Sequence, residues 1–144
     1  MKTKAFKGKI EVDEQITVRL GTNDGLTGYK IKKFQIISST PGVTSSVEYV
    51  AKVYTVERSA VDALVDFNDP TLIAVVYYQD RANASSNTET IIIDNKIFNQ
   101  DCYVTLDDSD GNTLAGNFYL ELEQVSLTEN EATVATLKDM RGRE

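Results

Sequence analysis

The chain has 144 residues, which suits one domain over 1–144 and burial of roughly two-thirds of the unfolded surface in one core. Hydrophobic residues make up 41% and charged residues 26%, which excludes a disordered chain. A net charge of −7 and a pI near 4.6 repel phosphate, so nucleic acid is not expected as a main partner.

Many Val, Ile, Thr and Tyr residues favour strands. Residues 2–12, with Phe6, Ile10 and Val12 among lysines, read as an exposed edge-like strand. Gln15–Leu20 alternates cleanly, with Ile16, Val18 and Leu20 on one face. Gly21-Thr22-Asn23-Asp24-Gly25 supplies turn chemistry. Tyr29–Ser38 is the next strand, with Phe34, Ile36 and Ile37 apolar, and Pro41-Gly42 suits the centre of a type II turn. In Val47–Val56 one face carries Val47, Tyr49, Ala51 and Val53. The other carries Val50, Tyr54 and Val56, so cover is expected on both faces.

The period changes in Ser59–Phe67. Val61, Leu64 and Val65 recur at helical spacing, Ser59 and Asp62 resemble a capping pair, and Pro70 forbids continuation, so a short loop helix is expected. Thr71–Tyr78 is continuously apolar and is the candidate for the sheet centre. After a polar loop over Asp80–Asn87, Thr90–Ile93 and Ile97-Phe98 read as an interrupted strand. Asp101–Leu106 alternates with Cys102, Val104 and Leu106 inward, and Asp107–Gly111 reads as a hairpin turn. Phe118, Leu120 and Leu122 define the last strand, and a phase shift to Val125 and Leu127 suggests a bulge after Gln124. Thr128 and Glu131 have capping-box spacing for a C-terminal helix whose apolar face is read as Val134 and Leu137, with Arg141 and Arg143 at its end. The expected fold is all-β: an antiparallel β-sandwich, jelly-roll-like, of about eight strands, with a short loop helix and a C-terminal helix.

Charge is unevenly spread. Residues 1–33 carry eight Lys/Arg and four Asp/Glu, a net of +4, and the remainder carries seven and eighteen, a net of −11. This split favours head-to-tail association, while lysines guarding an edge strand explain it without any partner. The N-terminus, Met1 to Lys7, has charge but no following apolar stretch, so no signal peptide is expected, and no apolar run reaches the length of a membrane span. Folding in a cytosol is the expectation.

Little chemistry is legible. The chain has no His, so Ser-His-Asp and Cys-His arrangements are excluded, and zinc loses its commonest nitrogen ligand. Cys102 is the single cysteine, so no internal disulfide forms, and it reads as a small core residue. No Gly-rich phosphate loop is present. The run Asp107-Asp108-Ser109-Asp110-Gly111-Asn112 fails an EF-hand test, since with Gly111 at position 6, position 1 is Leu106 and position 12 is Asn117, which leaves an irregular calcium loop as the alternative to a plain Asp-Gly hairpin turn. Tyr77, Tyr78, Tyr103 and Tyr119 raise the possibility of a sugar platform, but Trp, the residue best suited to it, is missing. No catalytic, cofactor-binding or metal-ligating residue stands out, no cofactor is implied, and the chain reads as a non-enzymatic binder of other proteins.

The last third carries a resemblance. Ile92-Ile93-Asp94-Asn95-Lys96-Ile97-Phe98-Asn99-Gln100-Asp101-Cys102-Tyr103-Val104, an acidic Gly turn, Asn117 to Glu123, and Asn130 to Arg141 together resemble small virion structural proteins of marine tailed phages, including those of cyanobacteria. The resemblance covers about residues 90–143. It implies a β-sandwich subunit on the particle: a capsid decoration (cement) protein bound to the major capsid protein or other virion proteins, or else a tail or neck component. It further implies self-association as a homo-oligomer, a virion location after synthesis in the host cytoplasm, and no membrane partner. A carbohydrate-binding module is the alternative from the residues.

Overall fold

The computed structural model describes residues 2–20, 25–42, 46–80 and 88–140. Among these residues eight strands form: β1 (Lys2–Ile10), β2 (Glu14–Val18), β3 (Thr27–Ser38), β4 (Val47–Tyr54), β5 (Leu72–Asp80), β6 (Thr88–Ile93), β7 (Cys102–Asp108) and β8 (Gly116–Ser126). Helix α1 (Glu129–Met140) follows. They make two antiparallel sheets, in the orders β1-β8-β3 and β2-β7-β4-β5-β6, packed as a sandwich. This is jelly-roll winding with one change: β6 stays beside β5 and does not cross to β3.

The alternation in the sequence sorts side chains as the pleat requires. Phe34, Ile36, Tyr49, Val53, Cys102, Val104, Leu106, Phe118, Leu120 and Leu122 meet in the core between the sheets. Both faces of β4 are covered, as its pattern foretold. Val50 and Tyr54 form a second cluster with Leu72 and Val75 on the outer face of the five-stranded sheet.

Several expectations are corrected. Residues 59–67 form no helix; the segment lies as an irregular cover on the outer face of the larger sheet. The middle strand is β4, not β5, although β5 is flanked on both sides. The bulge lies in β3, between Ile31 and Lys33, and β8 runs unbroken past Gln124. The extra residue, Lys32, reaches Glu123 at 3.4 Å. The turn after β7 is not a hairpin, because β7 and β8 belong to different sheets. Ile37 is 47% exposed, and Phe98 contributes a single bridge to Tyr29 without continuing β6.

Helix α1 starts on the foreseen capping box: Glu131 N donates to Thr128 Oγ1 (3.2 Å) and Thr128 N to Glu131 Oε1 (3.1 Å). Its inward face is the reverse of the expected one. Ala132 and Ala135 are buried, while Val134 and Leu137 are 52% and 58% exposed. Fully buried Asn99 sets this rotation: its Nδ2 donates to the Ala132 carbonyl (3.2 Å), Thr136 Oγ1 (2.8 Å) and the Gly25 carbonyl (3.0 Å). The contact brings the helix close enough that only small residues fit beneath it. Residues 21–24 of the first predicted turn, most of the 80–87 loop, and Arg141 and Arg143 lie outside the described residues.

Candidate docking surface

The excursion between β4 and β5 is closed at its base, where Thr55 N donates to the Thr71 carbonyl (2.9 Å). Lys52 anchors it from beneath. This side chain, 1% exposed, rises from the outer face of β4 and donates from Nζ to Asp62 Oδ1 (2.8 Å) and the Leu64 carbonyl (2.6 Å). Its Nζ also sits 5.4 Å from the Tyr54 ring centroid. The Lys52 hydrogen bond holds the Asp62 carboxyl below its ordinary range. Arg58 supplies the second anchor. Its backbone N–H and carbonyl are both taken by the Gln15 amide, at 2.8 and 3.2 Å. Its guanidinium reaches Asp69 at 3.0 Å and covers the Tyr54 ring at 4.5 Å. Burial works against the charge of Asp69, but bonds from Thr71 and Arg58 outweigh it and hold that carboxyl low as well. Within the segment the Leu64 carbonyl goes to Lys52 and the Leu64 N–H to Asp62 Oδ1, side-chain bonds that compete with a helical ladder at the centre of the expected helix.

The braced segment turns its large apolar side chains outward. Leu64 is 68% exposed, Phe67 65% and Val65 39%. Beside them runs β6, which among the described residues pairs only with β5. Ile91 and Ile92 on it are 39% and 46% exposed. A groove of about 290 Å³ separates Phe67 from Ile92, floored by Leu72 and Val75 and rimmed by Pro70 and Asp94. A rigid base with apolar groups held outward suits protein docking. Sequence reading assigned Leu64 and Phe67 to a helix and so missed them. The signal available was the run Ile91-Ile92-Ile93, an apolar strand with no Lys or Pro to guard it.

A larger cleft of about 610 Å³ lies over the smaller sheet, between Lys7, Lys9, Gln35, Ile37 and Tyr119. The Tyr119 hydroxyl donates to Glu121 (3.0 Å), and the lining, which also takes in Tyr78 and Glu89, offers lysines, a carboxylate, amides and apolar groups. At one end of the sandwich Tyr49 and Tyr78 stack at 6.0 Å. Tyr49 donates to the Leu114 carbonyl (2.6 Å) and Tyr78 to Asp80 Oδ2 (3.3 Å). Burial, with Asp108 next, pushes the Tyr49 hydroxyl pKa well up, so the phenol stays protonated and works as a fixed donor.

The acidic turn is used internally. Asp108 accepts the backbone N–H of Glu48 (3.0 Å) on one oxygen and of Asp110 (2.8 Å) on the other. Among the described residues no group of three or more His, Cys, Asp or Glu side chains is placed to hold a metal ion. The four tyrosines are not brought onto one platform. Tyr119 faces out from the smaller sheet on β8, and Tyr78 packs against the main core. Tyr77 and Tyr103 lie on the outer face of the larger sheet with β4 between them, Tyr103 being buried. Cys102 is fully buried, and burial raises its thiol pKa well above the ordinary range. No family model, curated protein or solved structure matches this chain.

Proposed function

We propose that this protein is a non-enzymatic assembly subunit that docks on other proteins, and that its setting is a phage virion, as a capsid decoration protein bound to the major capsid protein. The observation that carries the docking part is the apolar set Leu64, Val65 and Phe67 presented on a segment braced by Lys52 and Arg58. Side chains of this size are left in water on a rigid base at a cost that a partner would remove. The virion setting rests on the resemblance of residues 90–143. A tail or neck position would use the same surface.

The test is binding of the purified protein to capsids that lack it. Wild type is expected to bind stoichiometrically, and the double variant L64S/F67S to lose binding while its melting temperature is unchanged. Wild type that ignores such capsids, or a double variant that binds as well as wild type, refutes the proposal. Labelled protein located on the tail or neck would move the site of assembly away from the capsid.

A further inference from the structure

Among the described residues four strands have one side without a ladder partner, β2 and β6 in the larger sheet and β1 and β3 in the smaller, and two of them, β6 and β1, lie on opposite flanks. β6 ends the larger sheet at the flank opposite β2, and β1 ends the smaller sheet next to β2. The two edges differ in character. β1 carries exposed Lys2, Lys4, Lys7 and Lys9 and no acidic residue. β6 carries Ile91, Ile92 and Ile93 between Glu89 and Asp94, both exposed. Asp94 N donates to the Ile73 carbonyl (2.9 Å), so Asp94 continues the β6 line. Glu89 and Asp94 make no ion pair among the described residues, and the Lys4 Nζ has only the Tyr29 ring, at 5.7 Å.

We infer that β6 of one copy takes β1 of a second copy as an added antiparallel strand, joining copies head to tail. The inference rests on the reading of the chain as an assembly subunit and names its partner as itself. The spacing selects the register. Glu89 and Asp94 stand five positions apart, as do Lys9 and Lys4. Antiparallel pairing that sets Glu89 opposite Lys9 therefore also sets Asp94 opposite Lys4. In between, Ile92 meets Phe6, Ile93 meets Ala5, and Ile91 lies along the aliphatic stem of Lys7. A register two residues along pairs the acids with Lys7 and Lys2 but puts Lys4 opposite Ile92, losing the apolar matches. Because the joined surfaces differ and lie on opposite flanks, the contact repeats from copy to copy and closes as a ring or extends as a filament.

Sedimentation of the isolated full-length protein over a dilution series tests this. Wild type is expected to self-associate reversibly, and less so as salt rises. K4E/K9E and E89K/D94K, each alone, should weaken association about tenfold or more, since two attractions become two repulsions. An equimolar mixture of the two variants should associate again, because each acidic β1 then meets a basic β6 and each unaltered β1 an unaltered β6. Restoration by mixing also shows that both variants fold. Wild type that stays monomeric at every concentration overturns the inference, as does a mixture no better than its components. Sensitivity to E89K/D94K with none to K4E/K9E overturns it in favour of β6 pairing with itself. Capsid binding is read separately: a monomeric wild type that still binds capsids overturns this inference and leaves the assembly reading in place.

Discussion

Removing one partner of the Lys52–Asp62 pair should have unequal consequences depending on which partner goes. Asp62→Asn leaves the Lys52 amine buried, with only the Leu64 carbonyl and the Tyr54 ring to replace water. A hydrogen bond to a charged group contributes about 1.5–3 kcal/mol, and the low end applies because Asp62 itself is half exposed. The expected loss is about 2 kcal/mol, or roughly 6 °C in Tm for a chain of this length. Lys52→Met fits the same slot without a charge. It leaves Asp62 free to rehydrate, so the expected change is under about 1 kcal/mol. Urea unfolding of Asp62→Asn, Lys52→Met and the double variant measures both values, and the double variant should match Lys52→Met. The acid limb gives a further check. The Asp62 carboxyl is held below its ordinary range by Lys52, so its contribution is present above the unfolded carboxyl pKa and fades as pH falls through the lower folded value. Lys52→Met should flatten that part of the stability–pH curve. A Lys52→Met loss as large as that of Asp62→Asn would refute the reasoning, because the pair would then contribute net stability.

Asn99→Ala removes the amide that docks α1, at a cost of about 2–3 kcal/mol. Hydrogen exchange should show α1 amides losing protection while β4 and β7 keep theirs. Gly28→Ala would place a Cβ 2.8 Å from Ile97 Cγ2 and 3.1 Å from Leu127 Cδ1, so both side chains must shift. A loss of about 1–3 kcal/mol in thermal unfolding is expected. Cys102, fully buried with its thiol pKa raised, should react with a thiol reagent only at the rate of unfolding. Labelling at the rate of a free thiol in the native state would show that the core opens locally.

The sequence by itself determined the strands, their inward residues and the capping box of α1. A pleat alternates strictly and a cap acts over three residues, so this information is local. It also determined that β4 would be covered on both faces. Tertiary structure alone decided which strands became neighbours. That β4 lies in the middle, that β7 leads across to the other sheet and that β6 remains beside β5 are pairings between distant segments, and no local pattern encodes them. The same holds for the docking surface. Residues 59–67 have helical spacing, but a buried lysine from β4 takes the Leu64 carbonyl and an amide from β2 pins Arg58 just ahead of the segment, and the side chains that would have packed inward are left outside. Helix α1 shows it again. Its larger apolar residues suggested the inner face, yet Asn99, some thirty residues upstream, turns the alanines inward and leaves Val134 and Leu137 exposed. Intrinsic spacing says which side chains can share a face; a buried polar anchor on another element decides which face meets the core.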